Sequence, residues 1–177
     1  MTPRRSHIGP GIACLIVAFA GGCTASASDA SHEAHTTADS PVEAGRYLAI
    51  VAGCNDCHTD GYLFNDGDVS ETEWFLGSSL GWRGPWGTTY ARNLRLTVST
   101  LTEDAWVQML RTRKGLPPMP WMNVNQMAEP DMRALYQYFQ SLGPVGEQPP
   151  KPVPPGQEPT TPYLSLAPVE PVTGRTQ

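Results

Sequence analysis

Two cysteines three positions apart, with a histidine directly after the second, form the most reactive group of side chains in the sequence: Cys54-Asn55-Asp56-Cys57-His58. Such a group can be a redox dithiol, half of a zinc site, or a covalent attachment point for haem. A structural zinc ion needs four ligands of the Cys/His type. Beyond these three residues, and once a leader is removed, the chain offers only His32 and His35, which stand in a polar linker. A reactive dithiol needs its cysteines at a helix N-terminus after a buried strand, where the helix dipole lowers the thiol pKa. Here the preceding residues read as a helix that ends at the pair, and no β-branched strand precedes it. Haem attachment uses all three side chains. Two thiols add across the two vinyl groups of one haem, and the adjacent histidine is held under the ring within reach of iron.

The other two cysteines have a separate fate. The segment MTPRRSHIGPGIACLIVAFAGGC has a basic start at Arg4 and Arg5, an apolar run from Ile12 to Ala20, and then small residues. That is the layout of a secretory signal, too short for a stable membrane span. Cys14 leaves with it. Its end, Ala-Gly-Gly-Cys23, resembles a bacterial lipobox in which Cys23 is lipidated, with Ala20 where leucine is usual. Cleavage after Ala25 to Ala27 is the alternative. Either way residues 1–23 read as a signal segment, and the mature protein lies outside the cytoplasmic membrane. It is expected on the periplasmic side of a bacterial cell envelope, lipid-anchored through Cys23 or otherwise soluble. Without Arg4 and Arg5 the chain keeps ten basic against seventeen acidic residues, a net charge of −7. No basic stripe is present, so nucleic acid is not an expected partner.

If iron is bound, its second axial ligand must come from far along the chain. The candidates are Met109, Met119, Met122, Met127 and Met132. Met109 and Met132 fall on apolar faces of expected helices and read as core, and Met127 as a gap filler before the last helix. Met119 stands between Pro118 and Pro120, which fix the backbone and lower the entropy cost of presenting a thioether to a metal. Met122 is its rival.

Three helices must position these groups. Ser40 caps the first, Pro41 suits its first position and Glu43 completes a capping box. Tyr47, Leu48 and Val51 give that helix an apolar face, and Gly53 ends it. The second runs from the cap Thr102 to Gly115, with Trp106, Met109 and Leu110 on one face. The third begins near Pro130 and presents Met132, Leu135, Tyr136, Phe139 and Leu142 before Gly143-Pro144 stops it. Between Thr59 and Leu101 there is little periodicity, and Trp82, Trp86 and Tyr90 stand in a loop expected to pack through aromatic contacts. The divisions are a leader over 1–23, a flexible, disordered tether over 24–39, a folded domain over 40–143, and a tail over 144–177. Ten of the last 34 residues are proline, so the tail is expected to be extended or disordered. Docking of Tyr163 and Leu164 back onto the domain is the alternative.

From about Pro41 to Pro144 the chain resembles a class I c-type cytochrome. It is similar within that class to the haem domains of bacterial dehydrogenase cytochrome subunits, such as those serving membrane alcohol and gluconate dehydrogenases. The residues that carry the resemblance are GRYL (Gly45 to Leu48), CNDCH (Cys54 to His58), GPWGTTYARN (Gly84 to Asn93), PPMPW (Pro117 to Trp121) and DMRALYQYF (Asp131 to Phe139). Those subunits typically carry three haems on a longer chain; this sequence has one CxxCH. The resemblance implies a small all-α fold, three main helices with long loops around one covalent haem c. It implies that the first and third helices cross near Gly45, where the missing side chain lets Tyr136 or Phe139 pack closely. It makes Cys54 and Cys57 the thioether residues, His58 the proximal ligand and Met119 the distal one. Pro85 is expected to offer its carbonyl to the other nitrogen of His58. Arg83, Trp86, Tyr90 and Asn93 are candidates for bonding the haem propionates or the axial loop, or are simply loop packing.

With both axial positions filled, the expected function is a one-electron carrier rather than an enzyme. Its partners would be redox proteins such as a membrane or periplasmic dehydrogenase, or an oxidase. The alternative is a haem enzyme or ligand sensor with a labile sixth ligand.

Overall fold

The computed structural model describes residues 38–169. The expected leader, Cys23, His32, His35 and most of the tether lie outside the described residues. Six helices and a small sheet follow: α1 (Pro41–Val51), α2 (Cys54–His58), β1 (Gly81–Gly84), β2 (Gly87–Thr89), α3 (Leu94–Ser99), α4 (Glu103–Thr112), α5 (Trp121–Val124), α6 (Glu129–Ser141) and β3 (Tyr163–Ser165). The fold is therefore not purely all-α. β1 pairs antiparallel with β2 and parallel with β3, giving the order β2-β1-β3. No helix among the described residues is long and apolar enough to cross a membrane.

The first helix starts as its sequence predicts. Ser40 Oγ accepts from the Glu43 N–H at 3.2 Å, and Pro41 occupies the first turn. Its buried face differs from expectation. Ala44, Gly45, Leu48 and Ala49 are buried, whereas Tyr47 and Val51 are more than half exposed. The reason is the closeness of α6, against which α1 packs. A Cβ on Gly45 would stand 2.0 Å from the Ala134 carbonyl oxygen and 2.7 Å from Tyr138 Cβ. The neighbours at the crossing are thus Ala134 and Tyr138, not Tyr136 or Phe139. Large side chains cannot enter such a seam, so small residues line it and the bulky ones turn outward.

The last helix buries Met132, Ala134, Leu135, Tyr138 and Phe139. Tyr136 is half-buried instead, its hydroxyl donating to the Leu101 carbonyl at 2.9 Å. α4 is capped by Thr102, whose Oγ1 accepts from the Ala105 N–H at 3.2 Å. It lays Trp106, Val107 and Leu110 on the core, and the Trp106 indole donates to the Met132 carbonyl at 2.9 Å. Arg133 on α6 reaches Glu129 and Asp104, linking α6 to α4 across their exposed edges.

Aromatic packing supplies the centre of the core, joining the expected Trp106 and Phe139 to loop residues other than Trp82, Trp86 and Tyr90. Phe75 is fully buried, with its ring centroid 4.7 Å from Phe139 and 5.9 Å from Tyr138. Trp74 and Trp106 extend the cluster edge-on. Beside it, Glu71 accepts from Arg46 Nε at 3.0 Å and from the Tyr138 hydroxyl at 2.6 Å. Burial alone would raise the Glu71 carboxyl, yet these two bonds outweigh it and hold the group below its ordinary range. The stretch between Thr59 and Leu80 is therefore the segment that feeds Trp74 and Phe75 into the interior.

The proline-rich segment is extended, and it is docked. Tyr163, Leu164 and Ser165 form β3 against β1, and Val153 exchanges both backbone hydrogen bonds with Thr88 at 2.8 and 2.9 Å. Arg83 clamps Glu158 through two bonds of 2.8 and 2.6 Å while its guanidinium lies 5.0 Å from the Tyr163 ring centre. Prolines cannot build a core, but they hold a strand extended at low entropic cost and leave its carbonyls free to accept. Arg95 from α3 fixes the start of this segment by donating to the carbonyls of Leu142, which caps α6, and of Gly143 just beyond it.

Candidate functional site

Gly53, at a backbone φ of +68°, turns the chain out of α1 and directly into α2. Cys54 accordingly begins a short helix of its own, rather than sitting at the end of α1. Within that one turn and a half, Cys54, Cys57 and His58 stand at i, i+3 and i+4, which places all three side chains on one face. The opposite face is pinned to the core. Asn55 is fully buried and accepts from the Thr59 hydroxyl at 2.6 Å, and that hydroxyl in turn accepts from the Phe75 N–H at 2.9 Å.

His58 is buried, and its Nδ1 lies 2.7 Å from the Arg92 carbonyl oxygen. Burial lowers its pKa, with the Arg92 carbonyl working in the opposite direction. The neutral ring therefore donates from Nδ1 and presents a lone pair at Nε2, the form in which imidazole ligates a metal. Arg92, not Pro85, supplies the orienting carbonyl. Sequence reasoning missed it because a backbone acceptor carries no side-chain signature.

Both cysteines are free thiols. Burial pushes the Cys54 thiol up to about 12, helped by the Asp56 carboxylate, and the same two causes raise Cys57. A redox dithiol works through a lowered thiolate pKa, so these thiols are poised in the wrong direction for it. Among the described residues no three His, Cys, Asp or Glu side chains converge as a metal-binding group.

Met119 is half-buried in the loop between α4 and α5, whereas Met122 is 71% exposed. Met132 is fully buried in the core, with Met109 and Met127 packed against it. The Met119 loop is held on both sides. Thr89 Oγ1 donates to the Pro117 carbonyl at 2.6 Å, and the Trp121 N–H closes a turn onto the Met119 carbonyl at 2.9 Å. Arg113 stacks over Trp121 with its guanidinium 5.1 Å from the ring centre. One short segment therefore serves both loops: Thr89 anchors the Met119 loop and Arg92 anchors His58. Three residues of chain separate the two anchors by at most ~11 Å.

The chain is similar to the fructose dehydrogenase cytochrome subunit of Gluconobacter japonicus. The two are 28% identical over 121 residues, which is 62% of this chain but only 23% of that subunit. The chain thus spans less than a quarter of the relative's length. No protein-family model and no solved structure matches it.

Of the four polar candidates in the Gly84–Asn93 region and just before it, three are engaged by protein groups. Arg83 is bound to Glu158. The Tyr90 hydroxyl lies 3.0 Å from Thr161 Oγ1. Asn93 Oδ1 accepts from the Leu96 N–H at 3.0 Å, capping α3, and its Nδ2 donates to the Val145 carbonyl at 2.9 Å. Trp86 is the exception: its indole N–H is buried and has no protein partner. An unpaired buried donor costs roughly 1–3 kcal/mol, so an acceptor not belonging to the chain would be favoured beside it.

Proposed function

We propose that the protein is a monohaem c-type cytochrome, a one-electron carrier in a bacterial extracytoplasmic respiratory chain or dehydrogenase system. The observation that carries this reading is the α2 turn. Two thiols and a neutral histidine share one face there, with Nδ1 held by Arg92 and Nε2 left for a metal. The donor set fits a haem, and the unpartnered Trp86 N–H suits a carboxylate of the kind haem carries. The similarity to a dehydrogenase cytochrome subunit agrees with it.

In this reading Cys54 and Cys57 each add their S–H across one vinyl group, which consumes no oxidant and makes the attachment permanent. His58 Nε2 is the proximal ligand, and Arg92 sets the tautomer that allows it. The Met119 thioether is the distal ligand, and its proline-held loop keeps it in place without a large ordering cost. A haem so held supplies one-electron chemistry, its iron cycling between Fe(III) and Fe(II). Met119 would hold the metal through its thioether and so deny substrates access to it, and its soft sulfur would favour the reduced state. Cys23 would carry a lipid that keeps the domain on the periplasmic side of the membrane. There it would accept electrons from a dehydrogenase, or pass them to an oxidase, through weak docking.

Haem attachment tests the reading. Protein exported from cells with c-type haem maturation is expected to retain one haem per chain after full denaturation. The Cys54→Ser, Cys57→Ser double variant is expected to release any haem it binds under the same conditions. Absence of haem from the denatured wild-type chain would remove the proposal.

A further inference from the structure

The peptide unit that holds His58 is itself held from the other side. Its carbonyl, from Arg92, accepts the His58 Nδ1–H. Its N–H belongs to Asn93 and donates to Gln148 Oε1 at 3.2 Å, while Gln148 Nε2 donates back to the Asn93 carbonyl at 3.2 Å. Gln148 thus forms a two-point clasp on the backbone next to the histidine. It comes from the proline-rich segment, 90 positions along the chain from His58. The surroundings keep the clasp in register. Asn93 is fully buried, and a Cβ on Gly77 would meet Pro149 Cγ at 2.6 Å and the Asn93 nitrogen at 2.8 Å.

Hydrogen bonds in series through one amide reinforce each other. A donor bond from the N–H draws electron density onto the carbonyl oxygen and makes it a better acceptor. A stronger acceptor at Nδ1 makes the imidazole a more basic metal ligand, which favours the higher oxidation state of the metal it binds. We propose that Gln148 is a positioning residue for His58: through the Arg92–Asn93 peptide it strengthens the His58 hydrogen bond and so holds the reduction potential of the haem down. The proposal rests on the cytochrome reading above. It gives the proline-rich segment a role in setting that potential, beyond covering the sheet edge.

The test compares two substitutions in the full-length holoprotein, with wild-type controls for haem content and helicity. Gln148→Leu removes the acceptor for the Asn93 N–H. It is expected to shift the equilibrium about threefold toward Fe(II), about 28 mV upward at ~59 mV per tenfold for one electron. Gln148→Glu keeps the acceptor, loses the donated bond and adds a negative charge, so its potential should lie at or below that of wild type. The His58 Nδ1 proton, read by NMR in the ferrous protein, should exchange with solvent faster in the Leu variant than in the Glu variant. A merely structural contact would make both variants shift the potential in the same direction, and that outcome overturns the proposal. An upward shift in the Glu variant alone overturns it too, whatever the Leu variant does. Haem-bearing protein whose potential is unchanged in Gln148→Leu removes this role but leaves the cytochrome reading standing. A wild-type chain without covalent haem removes both.

Discussion

Gly45→Ala is expected to destabilise the folded domain by on the order of 3 kcal/mol, although helix propensity alone predicts the reverse. Alanine is favoured over glycine inside a helix by about 1 kcal/mol. Against this stands the seam between α1 and α6. The new Cβ would lie 2.0 Å from the Ala134 carbonyl oxygen and 2.6 Å from its carbon. Those are backbone atoms of a helix, so they cannot rotate aside as the end of a flexible side chain can. The helices must separate, and α6 carries Tyr138 and Phe139 into the aromatic cluster around Phe75. Overpacking of this kind costs more than the propensity gain. Urea unfolding should show the midpoint lowered by about 1.5–2 M at a slope ordinary for a domain of this size. A raised midpoint would mean that the two helices do not approach so closely.

If the protein is the proposed cytochrome with Met119 on the iron, Met119→His is expected to keep the iron low-spin while lowering the midpoint potential by on the order of 0.2 V. Axial ligands move haem potentials over a range of about 0.8 V. Exchanging a soft thioether for a harder imidazole removes the preference for Fe(II). The loop around position 119 keeps the ligand in place. Pro118 and Pro120 flank the position, Thr89 holds the Pro117 carbonyl, and Trp121 bonds the Met119 carbonyl, so the substituted side chain is presented from the same backbone. Met122 projects into solvent, and replacing it should leave the potential where it was. Redox titration of the two variants against wild type checks the assignment. An unchanged potential in Met119→His would exclude that residue from the iron.

Where periodicity and capping were strong, the sequence was readable. α4 begins after its cap Thr102, and α6 begins around Pro130, as proline in the first turn and apolar spacing require. The cysteine-histidine spacing is plain in the sequence, but the separate turn it forms is not, because Gly53 reads only as the end of α1. The buried face of α1 was only partly legible: Leu48 is buried as expected, but the closeness of α6 puts Ala44, Gly45 and Ala49 beside it and leaves Tyr47 and Val51 outside. α3 escaped notice for a different reason: six residues with arginine at a buried position give no amphipathic signal, and Arg95 is buried because it bonds the carbonyls of Thr72, Leu142 and Gly143. The tail's prolines correctly ruled out a core. They said nothing of its pairing with β1, which depends on backbone groups and on Arg83 meeting Glu158. The acceptor for His58 was misplaced at Pro85 for the same reason, since any carbonyl in the loop has the same chemistry. Side-chain spacing thus names candidate groups, whereas the backbone that orients His58 leaves no mark in the sequence.

The central claim, that His58 and Met119 together close the iron into an electron-carrying site, is tested most directly by the optical spectrum of the oxidised holoprotein in the far red. The account predicts a weak methionine-to-iron charge-transfer band there, together with no rapid binding of carbon monoxide after reduction. A high-spin spectrum without that band, and prompt carbon monoxide binding, would show an open coordination position and contradict it.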